Sequence, residues 1–266
     1  MVFGKGFRAK FEKVFSSSSQ DPKVSNDPPP PYLPEEFRQA GIKEDELEAL
    51  RNYDTVIILD DSGSMEPLWH QASRALSTLA VVASKYDKDG IDIHFLNNTK
   101  AGEHVKSEEE VIELFREVTP AGPTPLGECL ERVTERLLKD LDKGKSRKKT
   151  NYLIITDGQP TDDAEGAIVQ IAKRLDKAGA TLTQVGPLGP SGNGNSYLYI
   201  QLGMQFIQIG TNEGARKYLV KLDNDLKEKH EIRDMVDTEP FTNGELTATR
   251  LTKLLLGGIN RKIDKS

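Results

Sequence analysis

Thr55-Val56-Ile57-Ile58-Leu59-Asp60-Asp61-Ser62-Gly63-Ser64 is an apolar run that ends abruptly in acids, serines and a glycine. A strand with one wet face alternates apolar and polar residues, whereas a strand buried on both faces reads as a continuous apolar run. This stretch therefore predicts a central parallel strand with a polar exit at the sheet edge. Thr150–Asp157 has the same character and leaves through Ile155-Thr156-Asp157-Gly158. Two such strands decide the fold class.

Working outward, Asp45–Tyr53 reads as a short lead-in helix. Pro67 opens a longer helix, where its missing N–H costs nothing, with Trp69, Ala72, Leu76, Leu79 and Ala83 on one face. Ile91–Asn97 is a second strand, and a short edge strand follows around Glu103–Lys106. Helices are expected over Ser107–Val118, Leu126–Leu141, Ala164–Ala178, Glu213–Lys229 and Leu246–Ile259, with strands at Gln205–Gly210 and Asp234–Phe241. Strands alternating with helices of this length give an α/β, doubly wound, mainly parallel sheet with helices on both faces and one antiparallel edge strand.

Composition removes several function classes. In 266 residues with a mean hydropathy of −0.53, no run approaches the ~20 apolar residues of a membrane span. Cys129 is the single cysteine, so an intrachain disulfide and a multi-thiolate metal site are both excluded. His70, His94, His104 and His230 are scattered along the chain. With no apolar signal-peptide core, a reducing, cytoplasmic location is expected. Net charge is −6, yet residues 1–20 carry +3, which leaves −9 on the rest. An acidic body argues against nucleic acid as a partner.

Three parts are expected: a disordered basic and Pro-rich arm over 1–43, a folded domain over 44–262 and a tail over 263–266. In the arm, Phe3, Phe7, Phe11 and Phe15 recur every fourth residue among basic residues. On a helix they share one face, which suits weak membrane contact through residues 1–15 or an organelle presequence. Gly4 and Gly6 weaken such a helix, and a plain tail is the alternative. Pro28-Pro29-Pro30-Pro31-Tyr32 presets a polyproline II ribbon. Pro29, Pro30 and Tyr32 resemble the Pro-Pro-x-Tyr ligand of WW domains, including those of HECT-type ubiquitin ligases, and a stiff spacer is the alternative.

Ligands of doubly wound sheets bind beyond the carboxyl ends of the strands, near the point where strand order reverses. Asp60-Asp61-Ser62-Gly63-Ser64 and Thr156-Asp157-Gly158 are such exits, and Gly122-Pro123-Thr124-Pro125 is a loop facing them. The side chains on offer are carboxylates and hydroxyls. Oxygen-only donors with few carboxylates suit a hard ion that keeps waters, Mg²⁺ above all.

Asp60-x-Ser62-x-Ser64, Thr124 and Asp157 together resemble the metal-ion-dependent adhesion site of von Willebrand factor type A (vWA) domains, a Rossmann-like family. The resemblance spans roughly residues 50–260. A likeness to fungal cytoplasmic members lies in Asp60–Met65, Ile155–Gly158 and Gly257-Gly258-Ile259-Asn260-Arg261-Lys262. It implies that Ser62 and Ser64 ligate Mg²⁺ (or Mn²⁺) through their hydroxyls. Asp60 and Asp157 then hold the ion directly or through water, and Thr124 joins when a ligand engages. The implied partner is a protein presenting an Asp or Glu. Gly63 is expected to keep the turn tight, and Asp61 to add negative potential. Integrin-type members carry acids three and four positions past the last serine; Pro67 and Leu68 stand there, so a second adjacent metal site is not expected.

Catalytic rivals fit less well. A haloacid-dehalogenase phosphotransferase needs Asp-x-Asp, and Ser62 occupies the second acid position. A dinucleotide enzyme would follow the first strand with Gly-x-Gly-x-x-Gly, which is absent. The chain is read as a non-catalytic interaction module, with a WW-domain adaptor role as the alternative. Val185–Gln201 is a Gly-rich insertion that interrupts a helix-to-strand connection. Its Val and Gln ends are compatible with a retained in-frame intron, and an ordinary surface loop is the simpler reading.

Overall fold

The computed structural model describes residues 33–143, 148–178, 202–239 and 244–259. Among them, β1 (Tyr53–Leu59), β2 (Ile91–Phe95), β3 (Ala101–Val105), β4 (Lys149–Thr156), β5 (Leu202–Gln208) and β6 (Val236–Glu239) form one sheet. Its order is β3-β2-β1-β4-β5-β6, and only the β2–β3 pair is antiparallel. The helices are α1 (Glu35–Gln39), α2 (Glu44–Leu47), α3 (Trp69–Tyr86), α4 (Glu108–Glu117), α5 (Leu126–Asp142), α6 (Ala164–Lys177), α7 (Glu213–His230) and α8 (Ala248–Ile259). The α/β, doubly wound architecture read from the sequence is the architecture found. No described helix is long and apolar enough to cross a membrane.

Period-two geometry explains the apolar run of β1. Ile57 and Leu59 join a core with α1, α2, α3, α4 and α8, while Val56 and Ile58 join one with α5, α6 and α7. β4 divides in the same way, Leu153 and Ile155 to the first core and Tyr152 and Ile154 to the second. On α3 the inward stripe closes over an aromatic cluster. Trp69 stacks against Phe115 and Phe95 at centroid distances of 4.6 and 5.8 Å. α4 opens with a capping box, the Glu110 N–H donating to Ser107 Oγ while Glu110 Oε2 accepts from the Ser107 N–H.

Several boundaries differ from expectation. The arm expected to reach residue 43 gives way to the folded body by residue 33, because Leu33, Phe37 and Ile42 are buried in the first core. The lead-in is α2 followed by a 3₁₀ turn, Glu48–Asn52, and Tyr53 already belongs to β1. Buried Leu47 and Leu50 stand three residues apart, the spacing of that tighter helix. Pro67 lies inside a 3₁₀ segment, Gly63–Leu68, and α3 begins only at Trp69. β3 starts two residues early and is kinked by an irregular register against Ile91–Ile93. β5 begins at Leu202 rather than Gln205, with Leu202 fully buried.

The Phe-rich start, Pro29, Pro30 and Tyr32, the 185–201 insertion and the 263–266 tail lie outside the described residues. So does the end of the strand expected to run to Phe241.

Phe37→Ala is expected to cost about 3–5 kcal/mol, read as a lower urea midpoint at an unchanged slope. A cost below about 0.5 kcal/mol, the range of surface substitutions, would place residues 33–43 outside the core.

Candidate functional site

Strand order reverses between β1 and β4, which run side by side and leave the sheet at the same edge. The ladder continues one step past β1, where the Asp60 N–H donates to Ile155 O at 2.8 Å. Asp60 thus stands beside Thr156, and Asp157 follows immediately. Asp60 is fully buried. Its Oδ2 accepts from the Thr156 hydroxyl at 2.6 Å and its Oδ1 from the Ser62 N–H at 2.8 Å. The second bond folds the chain back, bringing the Ser62 and Ser64 hydroxyl oxygens to 3.1 Å. Ser64 Oγ then donates to Asp157 Oδ1 at 2.8 Å. Asp60, Ser62, Ser64 and Asp157 form one connected group, buried at Asp60 and exposed at Ser64.

Thr124 reaches this group through its loop. The Ala121 N–H donates to Asp61 O at 2.8 Å, and the Gly63 N–H donates to Gly122 O at 3.3 Å. The Thr124 hydroxyl lies over Gly158, 3.6 Å from where a Cβ would stand. All five residues read as metal ligands therefore converge at one sheet edge. Thr124 is 6% exposed, and its hydroxyl has no hydrogen-bond partner among the described residues.

Asp61 gains a task that the sequence did not suggest, and Gly63 differs from expectation. Asp61 is an anchor, 2% exposed. Its Oδ1 accepts from the Asn97 backbone and side chain at 2.7 and 3.1 Å, and its Oδ2 accepts from the Asn98 N–H at 3.0 Å. Asn97 passes the restraint on, its Nδ2 donating to Pro123 O at 2.8 Å. Gly63 has open space where a side chain would go, so tightness is not what the position uses; its N–H is. The glycine that geometry requires is Gly122, at φ +89° with Asn97 Oδ1 only 3.1 Å from a Cβ. Asn97, Thr156, Thr161 and Asp162 also belong to the framework and carried no role in the sequence reading. Their signal is pairing across 34–96 residues, which local patterns do not carry.

Burial pushes the Asp60 carboxyl above its ordinary range, and nearby Asp157 adds to the rise; the bonds from Thr156 and Ser62 oppose it. Burial raises Asp157 likewise, against the bond from Ser64. Among the described residues neither carboxylate forms an ion pair with Lys or Arg. Nor do any three His, Cys, Asp or Glu side chains gather into a metal cluster there. This donor set is of another kind, two carboxylates and three hydroxyls, with one hydroxyl uncommitted. Oxygen donors around uncompensated negative charge fit a hard divalent cation.

The family model described as von Willebrand factor type A domain matches residues 54–204, more than half of the chain. No curated protein sequence matches it. Similar solved structures include the manganese-loaded TRAP protein of Plasmodium vivax, with 15% identity, 79% of this chain and 74% of that chain covered, and a TM-score of 0.43. The vWF domain of the type V pili tip protein Mfa5 from Porphyromonas gingivalis shares 12% identity over 80% of this chain and 95% of that one, with a TM-score of 0.38. The pilus adhesin SpaC of Lactobacillus rhamnosus GG, in an open conformation, shares 12% over 79% and 30%, with a TM-score of 0.46.

Asp61→Ala strips three hydrogen bonds from a buried carboxylate and is expected to destabilise the metal-free chain by about 3 kcal/mol. Chemical denaturation in EDTA checks this. An unchanged midpoint would make Asp61 a bystander.

Proposed function

This chain belongs to the von Willebrand factor type A domain family, and we propose that its β1–β4 edge holds a divalent cation through which it binds an acidic side chain of a partner protein. The ion is Mg²⁺, with Mn²⁺ able to replace it. Asp60, Ser62, Ser64, Thr124 and Asp157 hold it. The observation that carries this reading is the pair of buried carboxylates, Asp60 and Asp157, flanked by hydroxyls and, among the described residues, with no cationic side chain paired to them. A buried charge ordinarily has a partner.

The bound ion supplies positive charge that two carboxylates offset only formally, so a further anionic oxygen is attracted. The chain's own residues do the rest. Asp60 is fixed by Thr156 and Ser62 and does not swing out. Ser64, at the exposed lip, and Thr124, with its free hydroxyl, are the groups an incoming carboxylate meets. In this reading the hydroxyls serve as oxygen donors to the ion, the work of a binding module rather than an enzyme. A reducing, cytoplasmic setting agrees with Cys129, whose thiol is buried and pushed up to about 12.

Chain immobilised in Mg²⁺ is expected to retain protein partners that EDTA releases, and Asp60→Ala is expected to retain none of them. Partners held equally in EDTA and by Asp60→Ala would move the function to another surface. Metal binding itself is read from thermal stability. Mg²⁺ at about 100 times its dissociation constant should add about 2.7 kcal/mol, several degrees for a domain of this size. Asp60→Ala and Asp157→Ala should show no such rise.

A further inference from the structure

The Thr124 hydroxyl has no partner of its own among the described residues, so its position is set by whatever holds its backbone. Thr161 holds both ends of that residue. Thr161 Oγ1 accepts from the Thr124 N–H at 3.2 Å, and the Thr161 N–H donates to Thr124 O at 2.9 Å. The next residue along, Asp162, grips the helix that follows Thr124. α5 begins after Pro125, which has no side chain able to cap it. The first-turn amides of Gly127 and Glu128 donate instead to Asp162, to Oδ1 at 3.0 Å and Oδ2 at 2.8 Å.

The contact is close as well as polar. A Cβ at Gly127 would stand 2.9 Å from the Asp163 carbonyl oxygen and 3.0 Å from Asp162 Oδ2. Asp163 has a separate task, capping α6 by accepting from the Gly166 N–H at 2.9 Å. Asp162 thus caps a helix distant in sequence while its neighbour caps the local one.

We infer that Thr161 and Asp162 are positioning residues of the adhesion site: they clamp the loop that carries Thr124 to the loop that carries Asp157. The inference rests on the metal-site reading above. Without the clamp, the hydrogen bonds that tie the Pro- and Gly-rich stretch 119–125 to other loops among the described residues come from Asp61, Gly63 and Asn97, and Thr124 meets the exit of β4 only by packing against Gly158. A ligand set distributed over separate loops depends on such supporting contacts for its spacing.

The test is Mn²⁺ titration of the full chain, alongside hydrogen exchange without metal. Thr161→Val and Asp162→Ala should each weaken Mn²⁺ binding at least about 10-fold, the usual effect of removing a residue that orients a ligand. Thr161→Ser should restore it. The double variant Thr124→Ala/Asp162→Ala should bind no more weakly than Thr124→Ala alone, since a clamp with nothing to position has no further effect. In Asp162→Ala the amides of Thr124, Gly127 and Glu128 should lose protection while those of Ile57–Leu59 keep theirs, which separates a loosened loop from an unfolded chain. Wild-type affinity in both single variants, or fully additive losses in the double, would reduce Asp162 to a helix cap and overturn the inference while leaving the metal site standing. Wild-type chain that takes up no Mn²⁺ would overturn the metal reading and the clamp's role with it.

Discussion

Parallel pairing of β1 with β4 sets two carboxylates side by side at the end of a buried sheet, and the rest of the site answers to that constraint. The Asp60 N–H completes the ladder on Ile155 O, which fixes Asp60 beside Thr156 and one residue from Asp157. Neither acid can retreat, because the strands that deliver them are packed on both faces. Neutral hydrogen bonds from Thr156, Ser62 and Ser64 satisfy part of their demand but bring no positive charge. Burial therefore works against their ionised forms. In the proposed reading a cation stabilises this site, which carries a cost without one.

Around that pair the fold places two kinds of support. Asp61, next to Asp60 in sequence, faces away from it and secures Asn97 and Asn98. Thr161 and Asp162, four and five residues past Asp157, face across to Thr124 and α5. In both places a residue close to the motif bonds a loop from elsewhere in the chain. Candidate ligands and struts thus share the exits of β1 and β4.

How much of this was legible follows from which interactions are local. The apolar runs of β1 and β4 gave the buried sheet, and the acids and hydroxyls at their exits gave Asp60, Ser62, Ser64 and Asp157. Thr124 was legible through the resemblance and the break at Thr119–Pro125, not through any local pairing. Phe37 was missed because α1 offers one apolar side chain in a polar turn, Glu35-Glu36-Phe37-Arg38-Gln39, whose burial depends on the core it meets. The early start of β5 was hidden because Leu202-Gly203 adjoins a Gly-rich stretch and looks like connection. Asp61 was legible as charge, but not as an anchor: only tertiary placement shows three amide donors converging on it. The Asp162 bond to Glu128 spans 34 residues, beyond any helical or strand period.

The measurement that bears most directly on this account is anomalous diffraction from crystals of the full chain soaked in Mn²⁺. The account predicts a single strong peak bounded by the Ser62 and Ser64 hydroxyls, with Asp60, Asp157 and Thr124 around it, and its loss in Asp60→Ala crystals. A map with no peak at that edge, under Mn²⁺ concentrations that saturate the buffer, would contradict it.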